Sequence, residues 1–158
     1  MLYATLPTPP PAAKAFYWTH LGLSSPSDMV TIERRGVPGA MVKSLAEKLS
    51  LTTVRFAQII GAPKATLERK AANGTLITGG SAYAALGTAR LINTVQTMQD
   101  DSTHPNAKTT DAAKWLGQWI EQPQSALGGQ KPADMMDTPT GMAMVSRVLG
   151  AISSGAYL

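Results

Sequence analysis

The chain has 158 residues and no cysteine. That absence removes thiol nucleophiles, disulfide bridges and cysteine-ligated zinc together, and it fits the cytoplasmic location we expect. Histidine is nearly absent too. His20 and His104 stand alone, in loop-like settings, and form no metal-type pair. Asp100-Asp101 reads as a solvated pair in a polar loop, and Gly79-Gly80-Ser81 lacks the lysine and the preceding strand of a phosphate loop. Nothing resembles a nucleophile with a positioned base. No enzymatic activity, no cofactor and no metal are therefore expected. No run approaches the roughly 18 apolar residues of a membrane span. The start has no basic region followed by an apolar stretch, so no signal peptide is expected either.

Acidic residues are short in one place. Residues 31–70 carry Arg34, Arg35, Lys43, Lys48, Arg55, Lys64, Arg69 and Lys70 against Glu33, Glu47 and Glu68 alone, a balance of +5. Residues 71–158 balance to −1, so the whole excess of the +4 chain lies in one 40-residue segment. A cationic excess so confined is expected where a segment meets a polyanion.

Proline and glycine fall between periodic segments and act as helix punctuation. Residues 1–24 are weakly patterned and read as an N-terminal arm, with an aromatic patch at Phe16-Tyr17-Trp18. Ser27 is placed to cap a helix over about 28–35, ended by Gly36. Pro38 opens a second helix, Thr52 or Thr53 caps a third, Gly61 breaks it, and Pro63 opens a fourth that ends at Asn73-Gly74. Ser81 is placed to cap a long helix over about 82–98, followed by a polar loop over 100–109. Leu76-Ile77-Thr78 makes at most a short extended piece. The fold class expected is all-α: a region over 25–99 built on a helix-turn-helix, then a small helical domain over 110–158.

The helix-turn-helix rests on Ala57, Gly61 and Leu67. A small residue in the first helix allows close crossing, glycine four later supplies the positive φ of the turn, and an apolar anchor follows six beyond. Phe56 and Ile60 supply further buried positions. The second helix, about 63–72, is then the DNA reader. Lys64, Ala65 and Thr66 approach base edges, and Arg69 and Lys70 reach bases or phosphates. Lys43 and Arg55 are candidate phosphate contacts. Ala62 is a poor residue for the expected N-cap of that helix, and Glu68 opposes phosphate.

The last quarter has its own punctuation. Trp115 and Trp119 lie four apart on one helix face, suited to core packing or to a partner. Pro123, the turn Leu127-Gly128-Gly129 and Pro132 follow. Thr138-Pro139 supplies an N-cap and a proline at the first helical position. Met142, Val145, Leu149 and Ile152 form one apolar stripe at helical period. The helix should stop near Ser154, with Gly155 in a left-handed conformation. An uncharged tip, Ala156-Tyr157-Leu158, ends the chain. Tyr157 combines apolar area with a polar end, as interface anchors do. From the residues alone, a stand-alone regulator with a C-terminal dimerisation unit, or an adaptor, stays open beside a protein-binding role.

These residues resemble the Xre/MbcA/ParS family of type II antitoxins. The likeness runs through Gly36-Val37-Pro38, Leu45, Leu49, the helix-turn-helix and Thr66-Leu67-Glu68-Arg69-Lys70. It continues through Ala113, Trp115-Leu116, Pro123, Leu127-Gly128-Gly129, Pro132, Thr138, Gly141, Leu149, Ile152 and Gly155. The chain departs from the family at Ala62, where a serine is usual, at Gly79-Gly80-Ser81-Ala82-Tyr83, and in the longer segment Trp119-Ile120-Glu121-Gln122. The resemblance implies a RES-domain toxin, consuming NAD, as protein partner. It implies that the C-terminal region covers the toxin's active site, and that an antitoxin dimer represses its operon by binding operator DNA. On that basis the toxin contacts expected are Trp115, Trp119, Leu127, Gly128, Gly129, Arg147, Ser154, Gly155, Ala156, Tyr157 and Leu158.

Overall fold

The computed structural model describes residues 25–156. The expected arm over 1–24, with His20 and the Phe16-Tyr17-Trp18 patch, and the tip residues Tyr157 and Leu158 lie outside the described residues. The fold is all-α, as expected. Its helices are α1 (Pro26–Arg35), α2 (Gly39–Lys48), α3 (Thr53–Ile60), α4 (Lys64–Asn73), α5 (Gly79–Asp101), α6 (Ala112–Trp119) and α7 (Pro139–Ser153). Two short extended pieces, β1 (Val37–Pro38) and β2 (Leu76–Ile77), pair antiparallel with Val37 opposite Ile77. Single 3-10 turns occupy Ala107–Thr109, Ser125–Leu127 and Pro132–Asp134.

Most helix ends follow local chemistry. Thr52, Asp111 and Thr138 each accept a backbone N–H three residues on, at 3.1, 2.9 and 3.0 Å, which satisfies one of the orphan donors of a helix start. Two starts differ from expectation. Ser25, not Ser27, caps α1: its hydroxyl accepts from the Asp28 N–H while Asp28 receives the Ser25 N–H. Pro26 has no N–H to lose and a φ suited to the first helical position, so this capping box wins over the later serine. The cap of α5 is Thr78 rather than Ser81, and that helix runs three residues further, to Asp101. Thr78 makes no side-chain cap bond and Gly79 and Gly80 are exposed, so no hydroxyl signal marks this start. At the far end, buried Val95 seats the last turns on the core.

Tertiary structure is organised on α5. Ala82, Ala84, Ala85, Leu86, Gly87, Thr88 and Ala89 are all buried and Tyr83 alone is partly open, so this stretch serves as a central post. The buried Thr88 hydroxyl is satisfied by donating to the Ala84 carbonyl at 2.8 Å. Helices α1, α2 and α3 pack against one part of α5, and α6 and α7 pack against it as well. Buried side chains from Met29 to Leu149 form one continuous core.

Where backbones cross, the residues are glycines without room for a Cβ. A Cβ on Gly39 would lie 2.5 Å from the Ala71 nitrogen, fixing α2 against α4. One on Gly117 would lie 2.0 Å from the Leu49 carbonyl oxygen, fixing α6 against the end of α2. Gly150, in α7, has nothing within 4 Å. Gly117→Ala should therefore destabilise the fold by about 1–3 kcal/mol or more, while Gly150→Ala should stabilise it by roughly 0.5–1 kcal/mol. Urea midpoints of the two variants check the contrast; equal midpoints would refute the close approach.

Candidate nucleic-acid and protein interfaces

The helix-turn-helix is assembled from α3 and α4. Gly61 adopts φ 71° and ψ 26° and closes α3 in the left-handed conformation the turn demands. Phe56, Ala57, Ile60 and Leu67 are at most 1% exposed, so all four expected anchors lie in the core. The expected cap at Ala62 is displaced by one residue. Pro63 occupies the N-cap of α4, with extended dihedrals that suit proline and no side-chain cap bond.

Leu67 is the single buried residue of α4. Leu67 and the backbone approach of Gly39 to Ala71 hold one face of α4 against α2, and the opposite face is open to solvent. Lys64, Ala65, Glu68 and Arg69 are exposed, while Thr66, Lys70 and Lys43 are half-buried. Lys64 is engaged by Glu68 at 3.8 Å, a solvent-exposed i,i+4 pair of small energetic weight. The Lys70 ammonium donates to the Leu76 carbonyl at 3.0 Å, so it braces the connection from α4 to β2. Arg69 projects from the same helix, exposed to solvent.

Arg55 is committed elsewhere. Its Nε donates to Glu121 Oε1 at 2.6 Å and a terminal nitrogen to Oε2 at 3.1 Å, a two-pronged fork. Asp134 lies 3.6 Å from the same guanidinium, and Lys131 lies 3.6 Å from Glu121. The hydrogen bonds from Arg55 hold the Glu121 carboxyl below its usual range, against desolvation and with help from Lys131. The Arg55 guanidinium is correspondingly raised, first by its bond to Glu121. Residues 66 apart in sequence thus join the first helix of the helix-turn-helix to the C-terminal quarter. No local pattern announces this pair, and charge alone places Arg55 at phosphate.

In the C-terminal quarter the expected partner residues divide by burial. Trp115 and Trp119 stack with centroids 6.0 Å apart and planes within 10°. Trp119 (7% exposed) and Leu127 (6%) belong to the core and offer a partner little area; Trp115 is half-buried against it. Gly128 and Gly129 are exposed with φ 66° and 82°, and the turn is closed by the Gly129 N–H donating to Gln124 at 3.0 Å. Arg147, Ser154, Gly155 and Ala156 are exposed. Gly155 has φ 71°, the left-handed residue expected after Ser154. No group of three or more metal-ligating residues occurs among the described residues, and no helix there is long and apolar enough to cross a membrane.

Comparison with known proteins gives two family matches. The antitoxin Xre-like helix-turn-helix domain matches residues 28–76, and the antitoxin Xre/MbcA/ParS C-terminal toxin-binding domain matches residues 108–155. The Prs ADP-ribosylating antitoxin of Sphingobium sp. (strain YBL2) is 34% identical over 150 residues, covering 95% of this chain and 90% of its own. The Arg55–Glu121 fork therefore runs from one matched region to the other.

Its pH dependence follows from the lowered carboxyl. Glu121 contributes stability above the unfolded glutamate value of about 4.3, and that contribution is lost as pH falls through its lower folded value. Glu121→Gln should cost about 1 kcal/mol at pH 7 and progressively less toward pH 3. Urea unfolding at both pH values decides the matter; a pH-independent difference would exclude the ionised fork as its source.

Proposed function

The chain belongs to the Xre/MbcA/ParS antitoxin family, and from this premise we propose that it neutralises a RES-domain, NAD-consuming toxin and represses its own operon. In this reading the region over 110–158 covers the toxin's active site, and the region over 25–99 binds operator DNA and dimerises. The protein works in the cytoplasm by occlusion and repression and carries out no reaction of its own. An NAD-consuming partner agrees with the name of the Sphingobium relative, because ADP-ribosyl transfer draws on NAD.

The observation that carries the reading is the pairing of two accessible surfaces on one core. The first is α4, packed through Leu67 and Ala71 and carrying Lys64 and Arg69 outward. The second is the open end of α7, where Arg147 and Ser153 to Ala156 are exposed. The basic balance of residues 31–70 supports DNA at the first, and the near-neutral charge of the remainder supports a protein at the second. Lys64, Ala65, Thr66 and Arg69 are the contacts we assign to DNA, with Lys43 toward phosphate. Lys70 and Arg55 serve this surface by bracing it. Trp115, Gly128, Gly129, Arg147 and residues 154–158 are the contacts we assign to the toxin.

Arg69→Ala should weaken operator binding and reduce the slope of log affinity against log salt by about 0.9, because one phosphate is no longer neutralised. Gel shifts across a salt series measure this, and an unchanged slope would take Arg69 out of the interface. Removing residues 155–158 should weaken neutralisation without changing the melting temperature. Growth rescue and titration with the product of the adjacent reading frame provide the readout, and full rescue with unaltered affinity would refute an occluding tip.

A further inference from the structure

A pocket of about 230 Å³ opens where the last turns of α5 meet the Ala107–Thr109 turn and α6. Its apolar walls are Val95, Met98, Ala107 and Trp115. Gln99 also lines it, only 9% exposed, and its side-chain amide has no hydrogen-bond partner among the described residues. Buried amides are normally satisfied, so one left open beside a pocket marks a place for an incoming polar group. The stack of Trp115 on Trp119 holds that wall rigid before anything binds.

We propose that this pocket receives a tyrosine or tryptophan side chain of the toxin, its ring against Trp115 and its hydroxyl or indole N–H on the Gln99 amide. The size favours a side chain, because small-molecule sites usually run to about 300–1,000 Å³. The chemistry favours an amphipathic aromatic, which needs an apolar wall and one polar partner. The Ser102 and Thr110 hydroxyls that also line the pocket are engaged by the His104 N–H and the Asn106 carbonyl, which leaves Gln99 as that partner. The position favours the toxin, because the pocket borders the matched toxin-binding region, which supplies Thr110 and Trp115 to its lining while α5 and the loop after it supply the rest. The proposal rests on the antitoxin reading and adds to it an anchor point far along the chain from the tip at 155–158.

Two variants of the full chain test it by calorimetric titration with the product of the adjacent reading frame. Gln99→Leu removes a polar group that the free protein leaves unpartnered, so its melting temperature should hold or rise while toxin affinity falls roughly tenfold. Ala107→Phe should fill the pocket and cost at least about thirtyfold. Loss of affinity together with loss of stability in Gln99→Leu would assign Gln99 to the fold and overturn the proposal. Unchanged affinity in both variants would overturn it too, as would a change confined to self-association or one abolished by removing residues 1–24. Should Ala107→Phe fail to fold, Gln99→Leu decides alone. Unmodified protein that binds toxin while the variants bind equally well leaves the antitoxin reading standing and removes only the pocket. Unmodified protein that binds no toxin removes both.

Discussion

Between Ala82 and Ala89 the long helix α5 turns buried side chains in every direction, with Tyr83 alone partly open. Three of its positions are alanines with no measurable exposure, and Gly87 faces Met142 so closely that a Cβ would lie 2.7 Å from the methionine side chain. Small residues let the surrounding helices approach on all sides, and close approach is what dispersion and water exclusion reward. Both matched regions lean on this post. Neither has a core that excludes it, so the helix-turn-helix domain and the C-terminal domain share their stability.

That dependence gives the Arg55–Glu121 fork its meaning. The guanidinium is positioned by α3, the first helix of the helix-turn-helix, and the carboxylate by the turn after α6. An ion pair of this exposure adds only modest energy, but its two-pronged geometry allows a narrow range of orientations. It therefore fixes how the helix-turn-helix is held relative to the C-terminal quarter. Gly117 against Leu49 and Gly61 beside Asp137 make the same junction from backbone and apolar contact.

The surfaces left over are unequal in kind. On the open face of α4 stand the flexible cations Lys64 and Arg69, with Glu68 beside Lys64, and such cations suit a phosphate backbone. Around Trp115 an immobilised indole stands beside the pocket's apolar walls and a few polar side chains, suited to a shaped protein partner. The exposed glycine turn at Gly128-Gly129 and the end of α7 add backbone that a partner can approach without meeting long side chains.

Helix punctuation was legible without coordinates because it is local. Gly61, Gly155, Thr52 and Thr138 act through dihedrals and hydrogen bonds within three or four residues, and the Ala57, Gly61 and Leu67 spacing carried the helix-turn-helix with them. The start of α1 was missed by two residues because proline at the first helical position outweighs a nearer serine. Long-range matters were not legible. Arg55 looked like one more cation in a basic segment, and only folding brings Glu121 to it across 66 residues. Trp119 and Leu127 looked available to a partner, and only the assembled core closes over them. Gln99 had no signature at all, since a lone amide near a helix end becomes informative only when packing buries it without a partner. Sequence alone determined the helices and the two classes of surface, because caps, periodicity and charge act over a few residues. Tertiary structure decided which charges remain free and which aromatic is exposed, because burial and ion pairing depend on neighbours far along the chain.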